Sequence, residues 1–457
     1  MGGQESLCLS ALIYGSLTGN FIYIIEWLSG FSLAVVILAC GLYLTVRSGF
    51  FPLRRAFAVI KYTVLAGSGR RLSREGDITP FQALTTALAA TVGTGNIAGI
   101  ATALTLGGPG AIFWMWVAAA VGMMIKFSEI VLAVHYRKID VNGDVCGGPM
   151  YVLGRGLGSR FLAYLFAGAG TLAALGIGNL VQANSVAAAL QVTAGVPSAA
   201  SGVIMVVLVG LVIIGGIKRI GYFTAAIVPV MTLIYLGGVI FILIAFYRQI
   251  PAAFALILST AFTGSAALGG FAGAGVLQGL RYGISRGIFT NEAGLGSASI
   301  AHAASQTDHP VRQGLWGILE VGVDTHLVCT MTALSLLVTG AWTSGLAGAS
   351  MTVEAFERVF CGGGALVAIS LIFFAFSTLI SWFYYGEKCF QYIWKQGDEY
   401  YRVLWLIAIF IGATGGLRIV WALSDILNVF MVLPNLIAVL GLSGVVWKLT
   451  GDFFGKK

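Results

Sequence analysis

Long apolar runs, separated by short polar stretches, organise this chain from end to end. A helix needs about 20 mostly apolar residues to cross the hydrocarbon core of a bilayer. Read at that length, the pattern predicts about eleven spans: 21–46, 79–106, 109–136, 160–190, 199–217, 222–247, 271–304, 313–340, 362–385, 402–417 and 426–449. The seventh run is too long and too rich in glycine for one plain helix. The run 250–264 is apolar but opens with Pro251, which predicts an interfacial or re-entrant piece. No strand-like alternation supports a closed barrel, so the fold class predicted is an all-α polytopic membrane bundle.

Composition supports the same class. Only 10% of the 457 residues are charged and 58% are hydrophobic, against about 25% charged in soluble domains. The 63 glycines would weaken soluble helices, whereas membrane helices use small residues for close packing. The six cysteines have no CxxC spacing and the four histidines no HExxH spacing. Neither a disulfide frame nor a metal cluster is expected. The N-terminus carries no basic segment of the signal-peptide kind.

The net charge of +8 points to orientation rather than to nucleic acid, because the basic residues flank the apolar runs. Segment 47–77 holds Arg47, Arg54, Arg55, Lys61, Arg70, Arg71 and Arg74. The excess of Lys and Arg in cytoplasmic loops puts that segment inside the cell. The N-terminus is then expected outside and the C-terminus, ending Lys456-Lys457, inside. Alternation over the spans leaves only Arg248, Arg358 and Arg418 in outer loops.

After the first span and its basic segment (1–78), the remaining spans fall into two sets of five, 79–247 and 271–450. A connection at 248–270 joins them and a tail, 451–457, follows. Five is odd, so the second set enters the membrane with opposite polarity and forms an inverted repeat. Each set opens with a glycine-interrupted helix. The first contains Thr91-Val92-Gly93-Thr94-Gly95-Asn96, the second Phe289-Thr290-Asn291-Glu292-Ala293-Gly294-Leu295-Gly296. Matching breaks in two halves point to a binding site near the midplane. Unwound backbone in lipid costs several kcal/mol per unpaired group, so something must satisfy it. Amides at a half-helix N-terminus suit a carboxylate, and free carbonyls suit an ammonium or a metal cation. A zwitterionic amino acid accompanied by a cation uses both.

The run Gly107-Gly108-Pro109-Gly110-Ala111-Ile112-Phe113-Trp114-Met115-Trp116, continuing to Gly122, resembles the signature of the alanine/glycine:cation symporters, also called sodium:alanine symporters. Gly93–Gly99 and Asn291–Gly296 are similar to that family too. The resemblance covers nearly the whole chain. It implies a LeuT-like fold with one extra N-terminal helix. It also implies a prokaryotic cell-membrane location and import of alanine or glycine with Na⁺, or in some members H⁺. The expected partners are a small amino acid and the lipid bilayer; no nucleic acid, organic cofactor or particular oligomeric state is implied.

Carried over at matching positions, the LeuT-like pattern places the substrate carboxylate on the amides of Thr94 and Gly95, within Gly93–Asn96. It places the amine against carbonyls of Thr91, Phe289 and Thr290, with Asn291 close by. Sodium is assigned to carbonyls of Ala89, Val92 and Phe374 and to the hydroxyls of Ser377 and Thr378. Trp382, one turn further on, is expected to cap the pocket. Ligands for a second sodium do not show in the pattern. Asn96 is expected to bind substrate or brace the break. Asn179 and Gln182 are candidates for reaching the pocket or for bonding between helices.

Glu129, Glu292, Glu320 and Asp324 lie in apolar sequence, where charge is costly. They are cation ligands, proton relays or gates, or else structural partners of Lys126, Arg281 or Arg286. Proton coupling through Glu292 or Asp324 is the alternative to sodium. An embedded enzyme would need a nucleophile–base pair or a metal cluster, and no such pattern is recognisable.

Overall fold

The computed structural model describes residues 32–65, 75–139, 143–263, 275–415 and 418–455, and these are mostly helical. We label the main helices α1 (Leu33–Arg47), α2 (Pro80–Thr91), α3 (Gly95–Gly107), α4 (Gly110–His135), α5 (Arg160–Ala194), α6 (Ser198–Ile213), α7 (Gly216–Ala245) and α8 (Ile250–Thr263). The second half contributes α9 (Val276–Asn291), α10 (Ser297–Ala303), α11 (Pro310–Val338), α12 (Gly363–Ile393), α13 (Asp398–Thr414), α14 (Arg418–Gly441) and α15 (Ser443–Gly455). A two-residue antiparallel ladder pairs Lys138–Ile139 with Val145–Cys146.

Among the described residues, α4, α5, α7, α11 and α12 are each long and apolar enough to cross a bilayer alone. The bent pairs α2–α3 and α14–α15 have the same reach if each is one span. The helix starts follow local chemistry. α2 opens with a capping box, in which Thr79 Oγ1 accepts from Gln82 N and Gln82 Oε1 accepts from Thr79 N, followed by Pro80. Both exchanges satisfy end groups that the helix leaves unpaired.

Three expectations are refined. The run 271–304 is two helices with a break at 292–296, after residues 264–274, which lie outside the described set. The run 426–449 bends by 56° between α14 and α15. That bend lays Phe453 against Tyr62, and Phe454 against Phe51 and Tyr62, with ring centroids 5.3–6.1 Å apart. The run 250–264 is a continuous 14-residue helix, α8, about 21 Å long at 1.5 Å per residue. That is short of the ~30 Å hydrocarbon core.

Glycine sets how closely the broken helices approach α4. Gly279, Gly283 and Gly287 form a stripe at i, i+4 and i+8 on α9. A β-carbon on Gly283 would sit 2.1 Å from the Ala111 carbonyl oxygen, and one on Gly287 3.0 Å from Met115. The absence of side chains there lets α9 lie directly on α4, the small-residue packing used between membrane helices.

Candidate functional site

α2 ends at Val92, whose ψ of 92° takes it out of the helical ladder. α3 begins at Gly95, bent by 52° from α2. Asn96 braces the gap: its Oδ1 accepts from Gly93 N at 2.8 Å, and its own amide donates to Gly93 O at 3.2 Å. The first amides of a helix have no acceptor in their own ladder, so Thr94 and Gly95 present N–H groups at the start of α3. Both residues line the central cavity.

The second break is held differently. Glu292 and Gly296 adopt left-handed backbone, with φ of 53° and 80°. Asn291 Oδ1 accepts from Ala293 N at 3.0 Å. Gly294 N donates to Glu129 Oε1 at 2.9 Å, and Gly294 O accepts from Asn435 Nδ2 at 2.9 Å. Asn435 also donates to Glu129 Oε1. The Gly294 peptide groups are therefore met by protein partners, which removes the cost of unpaired backbone in an apolar core.

The two breaks face each other. A β-carbon on Gly95 would lie 3.6 Å from Thr290 Oγ1 and 3.9 Å from the Phe289 ring. A cavity of about 640 Å³ opens here. Thr91, Gly93, Thr94, Gly95, Phe289, Thr290, Glu292, Thr378 and Trp382 all line it. So does Gln182, whereas Asn179 is outside the lining and donates to the Trp405 carbonyl at 2.8 Å. Of the two alternatives for Asn179, the geometry matches bonding between helices. Asn96 and Asn291 sit behind the cavity wall as braces rather than at its surface.

On the far side of the first break, four oxygens gather. Thr378 Oγ1 lies 3.0 Å from Ala89 O and 2.9 Å from Phe374 O. Ser377 Oγ lies 3.4 Å and 2.9 Å from the same two carbonyls. Ser377 and Thr378 follow Phe374 by three and four residues, so one helical turn brings them to one face of α12. Neutral oxygens from two helices, with no thiol or imidazole, suit a hard cation. The Gly93 β-position is 3.3 Å from Thr378 Oγ1, so this cluster abuts the turn that precedes the Thr94 and Gly95 amides.

The buried acids separate into two kinds. Glu320 pairs with Lys126 at 3.1 Å and with His302 Nε2 at 3.1 Å, as a structural partner would. Among the described residues, Glu129, Glu292 and Asp324 have no such salt bridge. Glu129 meets Gly294 and Asn435; Glu292 accepts from Ser297 Oγ. Asp324 Oδ1 accepts from Asn96 Nδ2 at 2.7 Å and its Oδ2 from Thr325 Oγ1 at 2.8 Å. Asn435 was not among the candidates drawn from the sequence. Its one signal is the Pro434-Asn435 pair inside an apolar helix.

The whole-chain comparisons agree with this architecture. Residues 16–457 match the model of the sodium:alanine symporter family. The chain belongs to that family. The sodium/alanine symporter of Methanococcus maripaludis is 46% identical over 92% of this chain and 93% of its own length. A probable sodium/glutamine symporter of Bacillus subtilis is 38% identical over 93% of this chain and 88% of its own. Among solved structures, the crystal structure of MhsT in complex with L-phenylalanine superposes with a TM-score of 0.60. Its identity is 13%, and the match covers 82% of this chain and 90% of that one. The fold is LeuT-like, and the chain is a transporter rather than an enzyme.

Proposed function

We propose that this family member imports alanine and glycine together with Na⁺ by alternating access. The observation that carries the reading is the contact between the two helix breaks beside the four-oxygen cluster. The carboxylate is assigned to the amides of Thr94 and Gly95, and the ammonium to carbonyls of Thr91, Phe289 and Thr290. Sodium is assigned to Ala89, Val92, Phe374, Ser377 and Thr378. Ala89 and Val92 belong to the turn that leads into the carboxylate amides. A cation there stiffens that turn, so each ligand favours the other's binding, as coupling requires.

A neutral zwitterion gains nothing from membrane potential, so the cation supplies the work. One charge crossing ~100 mV yields about 2.3 kcal/mol, and a tenfold Na⁺ gradient about 1.4 kcal/mol. Together they support roughly 500-fold accumulation. The basic segment is assigned to the cytoplasm of a prokaryotic cell, an assignment supported by charge asymmetry and by archaeal and bacterial relatives.

Proton coupling is the second reading, favoured by one observation: Asp324 is buried and joined through Asn96 to the first break. The deciding experiment is radiolabelled alanine uptake into proteoliposomes under a Na⁺ gradient alone and a pH gradient alone. Competition by glycine and D-alanine is measured alongside. Uptake that ignores Na⁺ but follows pH would replace sodium by the proton; uptake under neither gradient would refute the symporter reading.

A further inference from the structure

The lining of the central cavity runs toward one end of the bundle. Its lining follows α3 as far as Thr102 and Leu106 and α9 back to Arg281, Tyr282 and Ser285. No residue of α10 lines it, and none of α2 before Ala90. At the other end the leader of α2 and the exit of α10 are tied together. Asp77 N donates to Ala304 O at 2.8 Å, and Gln306 N to Ile78 O at 2.8 Å, forming a parallel bridge between Ile78 and Ser305. Gln306 Nε2 donates to Gly76 O at 3.1 Å. A β-carbon on Gly76 would fall 2.6 Å from Gln306 N, and its φ is 141°, so glycine is needed for the approach.

Arg137, just beyond α4, reaches both strands of this knot. Its Nη1 donates to Ala303 O at 3.2 Å and Ser305 O at 2.7 Å. Its Nη2 donates to Glu75 O at 3.1 Å and lies 3.9 Å from the Glu75 carboxylate. A planar guanidinium can meet carbonyls of two segments at once, which the point charge of lysine does less well. The segments it joins are the ends of the two broken helices. A pathway to that end of the bundle opens only if they part.

We propose that Arg137 is the latch of the cytoplasmic gate, a positioning residue that holds the carrier outward-facing until the gate strands separate. The inference rests on the alternating-access reading and on the orientation above. Opening breaks the bridge and the Arg137 contacts to at least one of the two segments, so the latch sets the balance between outward-facing and inward-facing forms. It acts on no substrate atom.

The test reads conformation directly. Ser285→Cys is introduced with Cys8→Ser and Cys361→Ser, and its labelling by a membrane-impermeant maleimide is followed from the outside of proteoliposomes. Adding Arg137→Ala is expected to lower the labelling rate and to speed alanine efflux. A tenfold shift from 10:1 outward to parity would about halve the rate. Arg137→Lys should fall between. An unchanged labelling rate in folded Arg137→Ala protein would overturn the latch.

Should Arg137→Ala fail to fold, a second variant decides. Ile78→Cys with Ser305→Cys places a pair of cysteines across the bridge. Oxidation is expected to stop uptake reversibly while leaving external alanine binding intact. Uptake that continues in the cross-linked protein would overturn the gate. Loss of Na⁺-dependent uptake in the wild type would instead overturn the proposed function, because the labelling assay needs no transport.

Discussion

Asn96 and Asp324 are joined by a 2.7 Å hydrogen bond between elements 228 residues apart, and Asn96 uses its other side-chain atom to accept from Gly93. One amide therefore connects a buried carboxylate to the turn that precedes the Thr94 and Gly95 amides. Removing it has two consequences. Gly93 N loses its acceptor and Asp324 loses a donor, each a buried unmet group costing about 1–3 kcal/mol. Asn96→Ala is expected to weaken alanine binding by about tenfold or more. Isothermal calorimetry on purified protein checks it, and wild-type affinity would contradict the link.

The cation assignment makes a separate demand. Ser377→Ala combined with Thr378→Ala removes two of the four clustered oxygens while leaving the Ala89 and Phe374 carbonyls. Na⁺-driven alanine uptake into proteoliposomes is expected to vanish. Unchanged Na⁺ dependence would place the ion elsewhere.

Three glycines separate packing from binding. Gly283→Ala drives a methyl group to 2.1 Å from the Ala111 carbonyl, and overpacking of that kind costs about 1–3 kcal/mol. A lowered thermal transition in detergent is expected. Gly99 lines the cavity with nothing within 4 Å of its β-position, so Gly99→Ala is expected to leave the transition unchanged. Gly95→Leu projects toward Thr290 and Phe289 and is expected to abolish alanine binding by calorimetry; wild-type affinity would refute the substrate site.

Lys126 and Glu320 are both fully buried and 3.1 Å apart. Removing one partner leaves an uncompensated charge, at about 3–5 kcal/mol. Lys126→Met is expected to destabilise strongly, and adding Glu320→Gln to recover part of the loss. The double-mutant cycle in thermal unfolding measures the coupling. Additive losses would show that His302 alone satisfies Glu320.

The two helix breaks were legible along the chain because their signals are local. Thr91–Asn96 and Phe289–Gly296 interrupt helices with glycine, whereas Phe374, Ser377 and Thr378 were singled out by the family resemblance, their helical spacing only placing them on one face. Asn435 and Arg137 were not legible. Each acts on backbone more than 140 residues away, and an asparagine or an arginine beside an apolar run has no local mark of such a partner. Asn179 needed the structure to choose between its two readings. Its position beside Gln182 suggests the pocket, but the rotation of α5 turns it to Trp405.

By itself the sequence determined the membrane class, the two broken helices and the family, because hydrophobic length, glycine breaks and an extended signature are properties of contiguous residues. Only the tertiary structure decided how each break is satisfied. Asn96 and Asp324 serve the first; Glu129 and Asn435 serve the second. It also decided which of Glu129, Glu292, Glu320 and Asp324 has a basic partner, and that the start of α2 and the exit of α10 are tied together. Those outcomes depend on distances between side chains remote in sequence, and in an apolar core an unpaired polar group is too costly to leave.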